Sequence, residues 1–320
     1  MVVAPKVSVI VPAYNVSSYI EDALVSLQRQ SFQEFEVIIV DDGSCDSTAE
    51  VVKPFVVRDS RFQLLQKQNG GLSQARNYGI RNACADYIAL LDGDDVYKPD
   101  KLANHVAVLD RAAEVGVVYS ASRALREDGR STFMYLSGKP VRSDPLLALL
   151  CKNFIGHGSN AVFRRSIFDE VGEFDEALRS SEDVDFWLRI AATQREMRFH
   201  REPRVLCCYR VRPSGLSFNV VQMQHCNEKV IEAAYRRSPE LVRPVLPTAY
   251  AYMYRYLARL SLTAGDAANA RDFIDRAMEA DRSIFYRDVR SLLTLAAVRL
   301  APLAKLVIGR SLGSVEYTRK

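Results

Sequence analysis

At 320 residues, the chain is long enough for one large domain or for two modest ones. Hydrophobic residues make up 48% of it and charged residues 26%, which is typical of an ordinary soluble globular protein and excludes a disordered chain. The formal net charge of +4 is too small to indicate binding to nucleic acid, so no nucleic-acid partner is expected.

The cysteines and the apolar segments bear on the cellular compartment. The six cysteines form no CxxC pair and no repeated spacing, which favours reduced thiols in a cytosolic chain. The apolar run Val7–Val11 is too short for a signal sequence. Leu292–Gly309 contains Arg299 and Lys305, so it is better interpreted as an amphipathic or core helix than as a membrane span. We therefore expect a cytoplasmic protein, with peripheral contact at the inner face of the membrane as a further option.

Strand and helix periodicities alternate through the first hundred residues. Strands are predicted at "VSVIVPAYN", "FEVIIVDDGS", "FQLLQKQN" and "DYIALLDGDD", and helices at "SSYIEDALVSLQRQ", "STAEVVKPFVVRD" and "GLSQARNYGIRNAC". Pro54 is expected to kink or interrupt the second of these helices. The rhythm predicts an α/β fold with a mainly parallel sheet that is flanked by helices.

The later segments differ in pattern. A helix is predicted after "KPDK", a strand at "GVVYSAS", a loop-rich stretch around "NFIGHGSNAVF" and a helix at "SSEDVDFWLRIAA". Strand signals stop after about Val220, and the remainder is predicted to be helical. This change predicts a catalytic domain at residues 1–222 and a helical region at residues 223–320.

Polar clusters follow the predicted strands at the point where each strand ends. They are Pro12–Asn15, Asp41–Ser44, Asn69–Gly71 and Asp92–Asp95. In open α/β sheets, ligands bind at the carboxyl ends of the parallel strands. We therefore expect the four clusters to meet in one crevice.

The stretch "LDGDD" places three aspartates within four residues. On a strand, Asp92 and Asp94 would face the same side, where two like charges repel unless a divalent cation relieves them. Oxygen-only ligands suit Mg²⁺ or Mn²⁺. The alternative interpretation is a solvated acidic turn, or a helix N-cap at Asp95.

Other side chains in these segments have both a functional and a structural interpretation. Asp42 could accept hydrogen bonds from a ribose or a nucleobase, Tyr14 could stack on the base, and Arg76 could bind phosphate. Equally, "DDGS" makes a good turn and Tyr14 could cap the core. Glu182 and Asp183 begin a predicted helix, where Ser180 or Ser181 as the N-cap with an acid in the first turn is a common pattern. A carboxylate there could also take a proton from a hydroxyl.

Seven stretches of the chain resemble, in the expected order, the family 2 glycosyltransferases, which are inverting enzymes of the GT-A fold that use nucleotide sugars. The stretches are "VSVIVPAYN", "FEVIIVDDGSCDST", "NGGLSQARNYGI", "YIALLDGDD", "FRRSIFDEVGEFDE", "SSEDVDFWLRI" and "YRVRPSGLS". They extend over about Lys6–Ser217. The resemblance implies a GT-A domain, Rossmann-like with a mainly parallel sheet flanked by helices, and an all-helical C-terminal extension.

The resemblance also implies roles for single residues. The nucleotide would be bound by Pro12, Tyr14, Asn15, Asp42, Arg76, Asp92 and Gly93. Asp94 resembles the ligand of a Mn²⁺ or Mg²⁺ ion that bridges to the diphosphate, and Asp183 of the "ED" pair resembles the catalytic base. Glu182, His157 and Arg212 are candidates for contacts with the diphosphate or the acceptor. Some relatives have a histidine metal ligand where this chain has Arg212, which cannot ligate a cation but can bind a diphosphate.

The activity that the resemblance implies is hexosyl transfer from a nucleotide diphosphate sugar, with UDP favoured by family habit. The acceptor would be a hydroxyl of a glycan or a polyprenyl-linked molecule, in the synthesis of a surface polysaccharide or glycoconjugate, and metal-assisted direct displacement would invert the anomeric carbon. One alternative is a catalytically silent relative that binds nucleotide or glycan. A phosphoryl receiver domain is disfavoured, because receivers place their acidic pair after the first strand, which here ends in "PAYN".

The C-terminal region carries two further patterns. The segment "YRYLARLSLTAGDAANARDFIDRAMEA" resembles one tetratricopeptide unit, a hairpin turning at Gly265–Asp266 that needs neighbours, such as a second subunit in a homodimer. Residues 229–320 carry 16 Lys and Arg against 9 Asp and Glu, and Leu292–Ile308 combines a leucine-rich face with basic residues. A basic amphipathic helix of this type could lie on an anionic membrane, or be buried with its charges at the rim.

Overall fold

The computed structural model describes residues 4–135, 141, 144–193, 197–212, 215 and 219–311, with the side chains of 133, 135 and 301–311 left out of the description. The chain divides into two compact units. The first holds the described residues as far as Arg212 together with Arg236–Pro239, and the second holds those of Pro213–Tyr235 and Glu240–Lys320. The domain boundary at residues 222 and 223 stays a prediction.

The first unit is built on one sheet, to which the described residues contribute nine strands. The strands are β1 (Val7–Ala13), β2 (Phe35–Asp41), β3 (Phe62–Gln66), β4 (Tyr87–Leu90), β5 (Val96–Tyr97), β6 (Val115–Leu125), β7 (Ser131–Tyr135), β8 (Ala161–Arg164) and β9 (Arg198–Arg210). Their order is β3-β2-β1-β4-β8-β6-β9-β5, with β7 paired to β6. The predicted sheet is confirmed.

Strands β3, β2, β1 and β4 are parallel, as are β6 and β9, whereas β8, β7 and β5 run antiparallel to their neighbours. Ala13 pairs with Asp41, and Ile10 pairs with Leu90. The carboxyl ends of β1, β2 and β4 therefore lie side by side. Every residue of β1 is buried, which explains why its sequence is an unbroken apolar run apart from Ser8 and Pro12.

The described residues of the first unit form seven α-helices. They are α1 (Ile20–Gln28), α2 (Thr48–Arg58), α3 (Leu72–Arg81), α4 (Lys101–Arg111), α5 (Pro145–Cys151), α6 (Arg165–Val171) and α7 (Glu182–Thr193). Contrary to the expectation of an interruption, α2 continues through Pro54. Proline removes the hydrogen bond to the carbonyl of Glu50, and because Glu50 is exposed, water can satisfy that carbonyl.

A cluster of aromatic side chains holds α6 and α7 on the sheet. Phe163 of β8 packs on Phe186 and Trp187 of α7, and Phe186 lies 4.5 Å from Phe174, ring centre to ring centre. Burying each of these side chains contributes about 2–3 kcal/mol. This packing fixes the first turn of α7, which carries Glu182 and Asp183.

The second unit is helical, which confirms the predicted helical extension. Its helices are α8 (Val220–Arg237, whose last two residues belong to the first unit), α9 (Pro239–Val242, begun by Pro239 of the first unit), α10 (Leu246–Thr263), α11 (Ala267–Asp281), α12 (Ile284–Arg287) and α13 (Val289–Ser311). Helices α10 and α11 form a hairpin that turns at Gly265, whose φ of +81° suits glycine, and Asp266 caps α11 by accepting from the Asn269 N–H. The likeness to a tetratricopeptide unit stays a prediction. Within the described part of the chain, no helix is long and apolar enough to cross a membrane.

Candidate active site

The loops that follow β1 and β2 are tied to each other by Asn15. Its backbone N–H donates to Ser44 Oγ (3.1 Å), and its side-chain oxygen accepts from the Cys45 N–H (2.8 Å). Asn15 has a φ of +50°, a conformation that asparagine tolerates better than most residues. The ring of Tyr14 is 48% exposed, so a face remains open at the strand edge for stacking.

Asp42 is buried and holds the loop between β3 and α3. Its carboxylate accepts from Lys67 Nζ at 2.6 Å and from the N–H groups of Gly70 and Gly71. Gly71 directly precedes α3 and has a φ of +94°, a conformation that favours glycine. The carboxylate predicted to contact a nucleobase is therefore largely occupied by this loop, and its nucleotide role stays a prediction.

Gly93 lies where the end of β4 meets the end of β1. A Cβ at this position would come within 3.2 Å of the Pro12 carbonyl oxygen and within 3.1 Å of the nearest side-chain atoms of Val16 and Ile20. The two chain segments can approach this closely only because residue 93 has no side chain.

The three aspartates after β4 have three different environments. Asp92 is partly exposed and accepts from Arg76 Nη2 at 2.8 Å. Asp94 pairs with Arg212 Nη2 at 2.6 Å. Asp95 is fully buried and accepts from the Ser159 hydroxyl (2.6 Å) and from the Arg210 N–H (2.9 Å).

Burial is the main cause that raises the pKa of Asp94, with Arg212 opposing and the Asp92 charge adding to the rise. The pKa of Asp95 is raised well above its usual value by burial and by the charges of Asp94 and Asp92. An excess of negative charge in a low-dielectric setting favours a cation.

The acidic cluster fits a divalent cation only in part. Among the described residues, no group of three His, Cys, Asp or Glu side chains could hold a metal ion by itself. Asp94 offers a partly exposed hard oxygen, which suits Mg²⁺ or Mn²⁺ when the ligand supplies the remaining oxygens. The donor chemistry therefore fits a cation that is shared between Asp94 and a diphosphate.

Arg76 connects these aspartates to the "ED" segment. Its guanidinium is 1% exposed and pairs with Asp92 through one terminal nitrogen and with Glu182 through the other. The guanidinium also lies 5.6 Å from the centre of the Phe174 ring. A direct contact between Arg76 and phosphate, as predicted, would require one of these ion pairs to open.

Glu182 and Asp183 occupy the first turn of α7. They follow Ser181, a non-glycine residue with a φ of +60°, and strain of this kind concentrates at functional sites. Burial and then the neighbouring Glu182 charge raise the pKa of Asp183 to about 7, while Arg76 opposes the rise. A carboxylate with this pKa can exchange a proton near neutral pH.

The third acid of this segment has a different environment. Asp185 is buried and binds Arg189 at 2.9 Å and Arg237 at 3.1 Å. Two arginines therefore neutralise Asp185. Asp183, by contrast, is a partly exposed carboxylate at the start of the helix.

His157 lies beneath the cluster, beside Asp95. The His157 ring packs on Tyr209, with ring centres 4.7 Å apart, and its Nδ1 is 3.6 Å from the Asp95 carboxylate. Burial is the main cause that lowers the pKa of His157 to about 3, so the ring is neutral and forms no ion pair with Asp95. Contact with the acceptor stays a prediction for this buried ring.

Arg212 lies at the entrance to the site. Besides its ion pair with Asp94, its guanidinium stands 5.0 Å from the centre of the Tyr19 ring. A cation at Asp94 would compete with Arg212 for one carboxylate. An arginine displaced from Asp94 would be free to bind a phosphate oxygen.

Two further residues of the site were missed as site candidates in the sequence. Ser159 donates to Asp95 and accepts from the Asp92 N–H at 3.0 Å. Arg210 is buried and binds the carbonyl of Asp94 and the carboxylate of Asp22. The stretch "YRVRPSGLS" contains Arg210 and could have identified it, whereas Ser159 carries no local signal.

A mostly parallel sheet with buried and partly exposed carboxylates at its strand ends, joined by Arg76 to an acidic helix start, is typical of the GT-A fold. Residues 8–172 match the model of the family described as glycosyl transferase family 2. The chain belongs to this family.

Two curated relatives are similar over part of their length. An uncharacterized glycosyltransferase of Rickettsia felis is 30% identical over 189 residues, which is 58% of this chain and 31% of that protein. The uncharacterized glycosyltransferase EpsJ of Bacillus subtilis is 32% identical over 221 residues, or 67% of this chain and 63% of EpsJ. The chain thus spans less than two thirds of the length of either relative.

Two solved structures share the fold. TarS of S. aureus, residues 1–349 in complex with UDP, has a TM-score of 0.55 at 20% identity and covers 88% of this chain and 91% of its own. The mannosyltransferase PcManGT of Pyrobaculum calidifontis, in complex with GDP-Man and Mn²⁺, has a TM-score of 0.60 at 22% identity. The match covers 94% of this chain and 87% of PcManGT.

Proposed function

We propose that the protein is an inverting glycosyltransferase that moves a sugar from a nucleotide diphosphate sugar to a hydroxyl of an acceptor. The observation that carries the proposal is the bridge from Asp92 through Arg76 to Glu182, which joins the acidic strand end to the helix start that bears Asp183. Through these two ion pairs, the proposed donor site is coupled electrostatically to the helix start that carries the proposed base.

The donor would bind at the carboxyl ends of β1, β2 and β4. Tyr14 offers an exposed ring for the base, and the segment around Gly93 allows the ligand to approach the main chain closely. TarS binds UDP and PcManGT binds GDP-Man, which supports a nucleotide sugar as the donor. We propose UDP as its nucleotide.

Asp94 would hold a divalent cation together with the diphosphate. When bound, such a cation neutralises charge on the departing diphosphate. Arg212, released from Asp94, would then contact the same diphosphate, which is a role that suits the planar guanidinium.

Asp183 would act as the general base. It takes the proton of the acceptor hydroxyl as the oxygen forms a bond to the anomeric carbon. The bond from that carbon to the diphosphate oxygen breaks in the same step, so the configuration inverts without a covalent sugar–enzyme intermediate. Burial, and after it the Glu182 charge, keeps the Asp183 pKa high enough for proton transfer near pH 7.

The acceptor would be a glycan or a polyprenyl-linked molecule, and the product part of a surface polysaccharide or glycoconjugate made in the cytoplasm. This class of acceptor is carried over from the family resemblance alone. The alternative function, silent binding of nucleotide or glycan, has the same donor site but no turnover.

Calorimetry with UDP, dTDP, GDP and CDP, each with Mn²⁺ and again with EDTA, tests the donor site. We expect one nucleotide to bind with Mn²⁺ and to lose about tenfold or more of its affinity in EDTA or in Asp94→Ala. Asp169→Asn, an exposed aspartate on α6, is the matched control and should bind like the wild type. If no nucleotide binds, the proposed donor site is wrong.

A turnover assay separates the enzyme from its silent alternative. Hydrolysis or transfer of the selected nucleotide sugar should require Asp183, and full activity in Asp183→Asn would rule out the assigned base. Tight nucleotide binding without turnover on any acceptor hydroxyl would favour the silent relative.

A further inference from the structure

Helix α13 exposes four apolar side chains, whereas its buried positions include a serine and a threonine beside Val298. Leu293 is 62% exposed and Val289 is 71% exposed, whereas Ser291 is fully buried and Val298 nearly so. A surface helix of a globular protein normally shows the opposite arrangement, with its apolar stripe facing the core. None of the described residues covers these side chains, so this side of the helix is available to a partner.

The exposed apolar residues form one continuous stripe. At 3.6 residues per turn, Val289, Leu293 and Leu300 fall within an arc of roughly 60°, and Leu292 lies beside them. We call the side chains of Val289, Leu292, Leu293 and Leu300 the α13 stripe. The exposed ring of Tyr286 on α12 directly precedes the stripe.

Basic residues border the α13 stripe on both sides. Arg290 and Arg299 are exposed and lie on the helix about 90° to either side of the centre of the stripe. Residues 282–310 contain six lysines and arginines and one acidic residue, Asp288. Asp288 accepts from the Ser291 hydroxyl at 2.8 Å within the first turn of α13, and Arg299 pairs with Asp275.

We propose that the α13 stripe binds the surface of an anionic lipid bilayer, with the helix lying in the plane of the membrane. Leucine and valine would enter the boundary between head groups and acyl chains, while the flanking arginines would reach the lipid phosphates. Tyr286 suits the same depth, because its ring is apolar and its hydroxyl is polar.

Charge complementarity favours this partner over a second copy of the chain. Two copies that met through the α13 stripe would bring together two basic surfaces, whereas an anionic bilayer presents the opposite charge. The inference concerns the second unit only and stands whether or not the proposed donor site is correct.

Co-sedimentation of the full chain with large unilamellar vesicles tests the proposal. The vesicles contain phosphatidylcholine alone or with about 30% phosphatidylglycerol. We expect binding to the anionic vesicles that weakens as NaCl rises from about 0.05 to 0.5 M. Arg290→Gln should weaken the binding about fivefold.

The apolar contribution is tested by Leu293→Glu/Leu300→Glu, which should lower the vesicle partition coefficient about tenfold or more. Val221→Glu is the matched control, because Val221 is an equally apolar and exposed residue of the same unit outside the stripe. Circular dichroism checks that each variant is folded. If the double variant does not fold, the proposal is tested by the vesicle binding of Arg290→Gln and by the dependence of wild-type binding on NaCl.

Three results would overturn the proposal. The first is no binding to anionic vesicles, and the second is equal binding of the double variant and the wild type. The third is a dimer in light scattering that Leu293→Glu/Leu300→Glu dissociates without any vesicle binding, which would make the α13 stripe an interface between copies of this chain.

Discussion

At the scale of single residues, the pKa of Asp183 gives the sharpest expectation. A base whose pKa is about 7 is half deprotonated at neutral pH, so turnover should rise with pH through a midpoint near 7. Asp183→Asn should lower kcat by about 10²–10⁴-fold at all pH values. Initial rates from pH 5 to 9 test both statements, and a flat wild-type profile over this range would contradict the assignment.

The same shift makes the unfolding free energy depend on pH. Because the folded-state pKa of Asp183 is raised, the proton is bound more tightly in the folded state. The protonated Asp183 carboxyl therefore makes its full contribution to the free energy of unfolding below about pH 4. This contribution is lost as pH rises to about 7. We expect Asp183→Asn to be about 1–3 kcal/mol more stable than the wild type at pH 8, but not at pH 4. Urea unfolding at the two pH values measures this difference, and an equal difference at both would exclude the explanation.

Arg76 is a positioning residue whose removal should affect both stability and pH dependence. Arg76→Met leaves Asp92 and Glu182 in a buried site without their shared cation, which costs about 3–5 kcal/mol. Because Arg76 lowers the pKa of Asp183, its removal should raise that pKa. The acid limb of the plot of turnover against pH, where turnover rises with pH, should therefore move to higher pH in Arg76→Met. Arg76→Lys keeps the charge but cannot bind both acids through a planar fork. It should retain more stability than Arg76→Met, and an unchanged acid limb in both variants would contradict the electrostatic coupling.

At the scale of elements, the 3-10 turn Gly158–Asn160 is built around Arg76. A Cβ on residue 158 would lie 2.5 Å from Arg76 Nη2, which two carboxylates hold in place. Gly158→Ala should lower the unfolding free energy by about 1–3 kcal/mol and reduce turnover as well.

Gly265→Ala is the control for that variant. No atom lies within 4 Å of its new Cβ, but the φ of +81° is strained for alanine. It should cost about 1 kcal/mol and leave turnover unchanged. Equal turnover in both variants would show that the turn does not position Arg76.

The sequence predicts some elements well because their local pattern is strong. Strands β1, β2 and β4 are runs of buried apolar residues, and α1 and α3 have clear helical spacing. Strands β5, β7, β8 and β9 are not predicted from the sequence. β8 has only four residues, and β9 contains Pro203 and polar residues at its start. Asp95 has two partners, Ser159 and Arg210, which lie 64 and 115 positions further along the chain. Only the folded topology brings these residues together.

At the scale of the whole molecule, ligand binding should be visible in the stability of the chain. A nucleotide that binds with Mn²⁺ at 100 times its Kd stabilises the folded state by about 2.7 kcal/mol. We expect this gain as a rise in melting temperature in the wild type and in Leu293→Glu/Leu300→Glu, but not in Asp94→Ala. A gain in the wild type and in both variants would place the nucleotide away from Asp94.

The close approach at Gly93 has a consequence for how the chain can vary. A Cβ on residue 93 would meet the side chains of Val16 and Ile20 and also the Pro12 carbonyl oxygen, which cannot turn away as a side chain can. Substitutions at Val16 or Ile20 therefore cannot by themselves make room for a side chain at residue 93. We expect this position to tolerate only glycine for as long as the ends of β1 and β4 keep their present spacing.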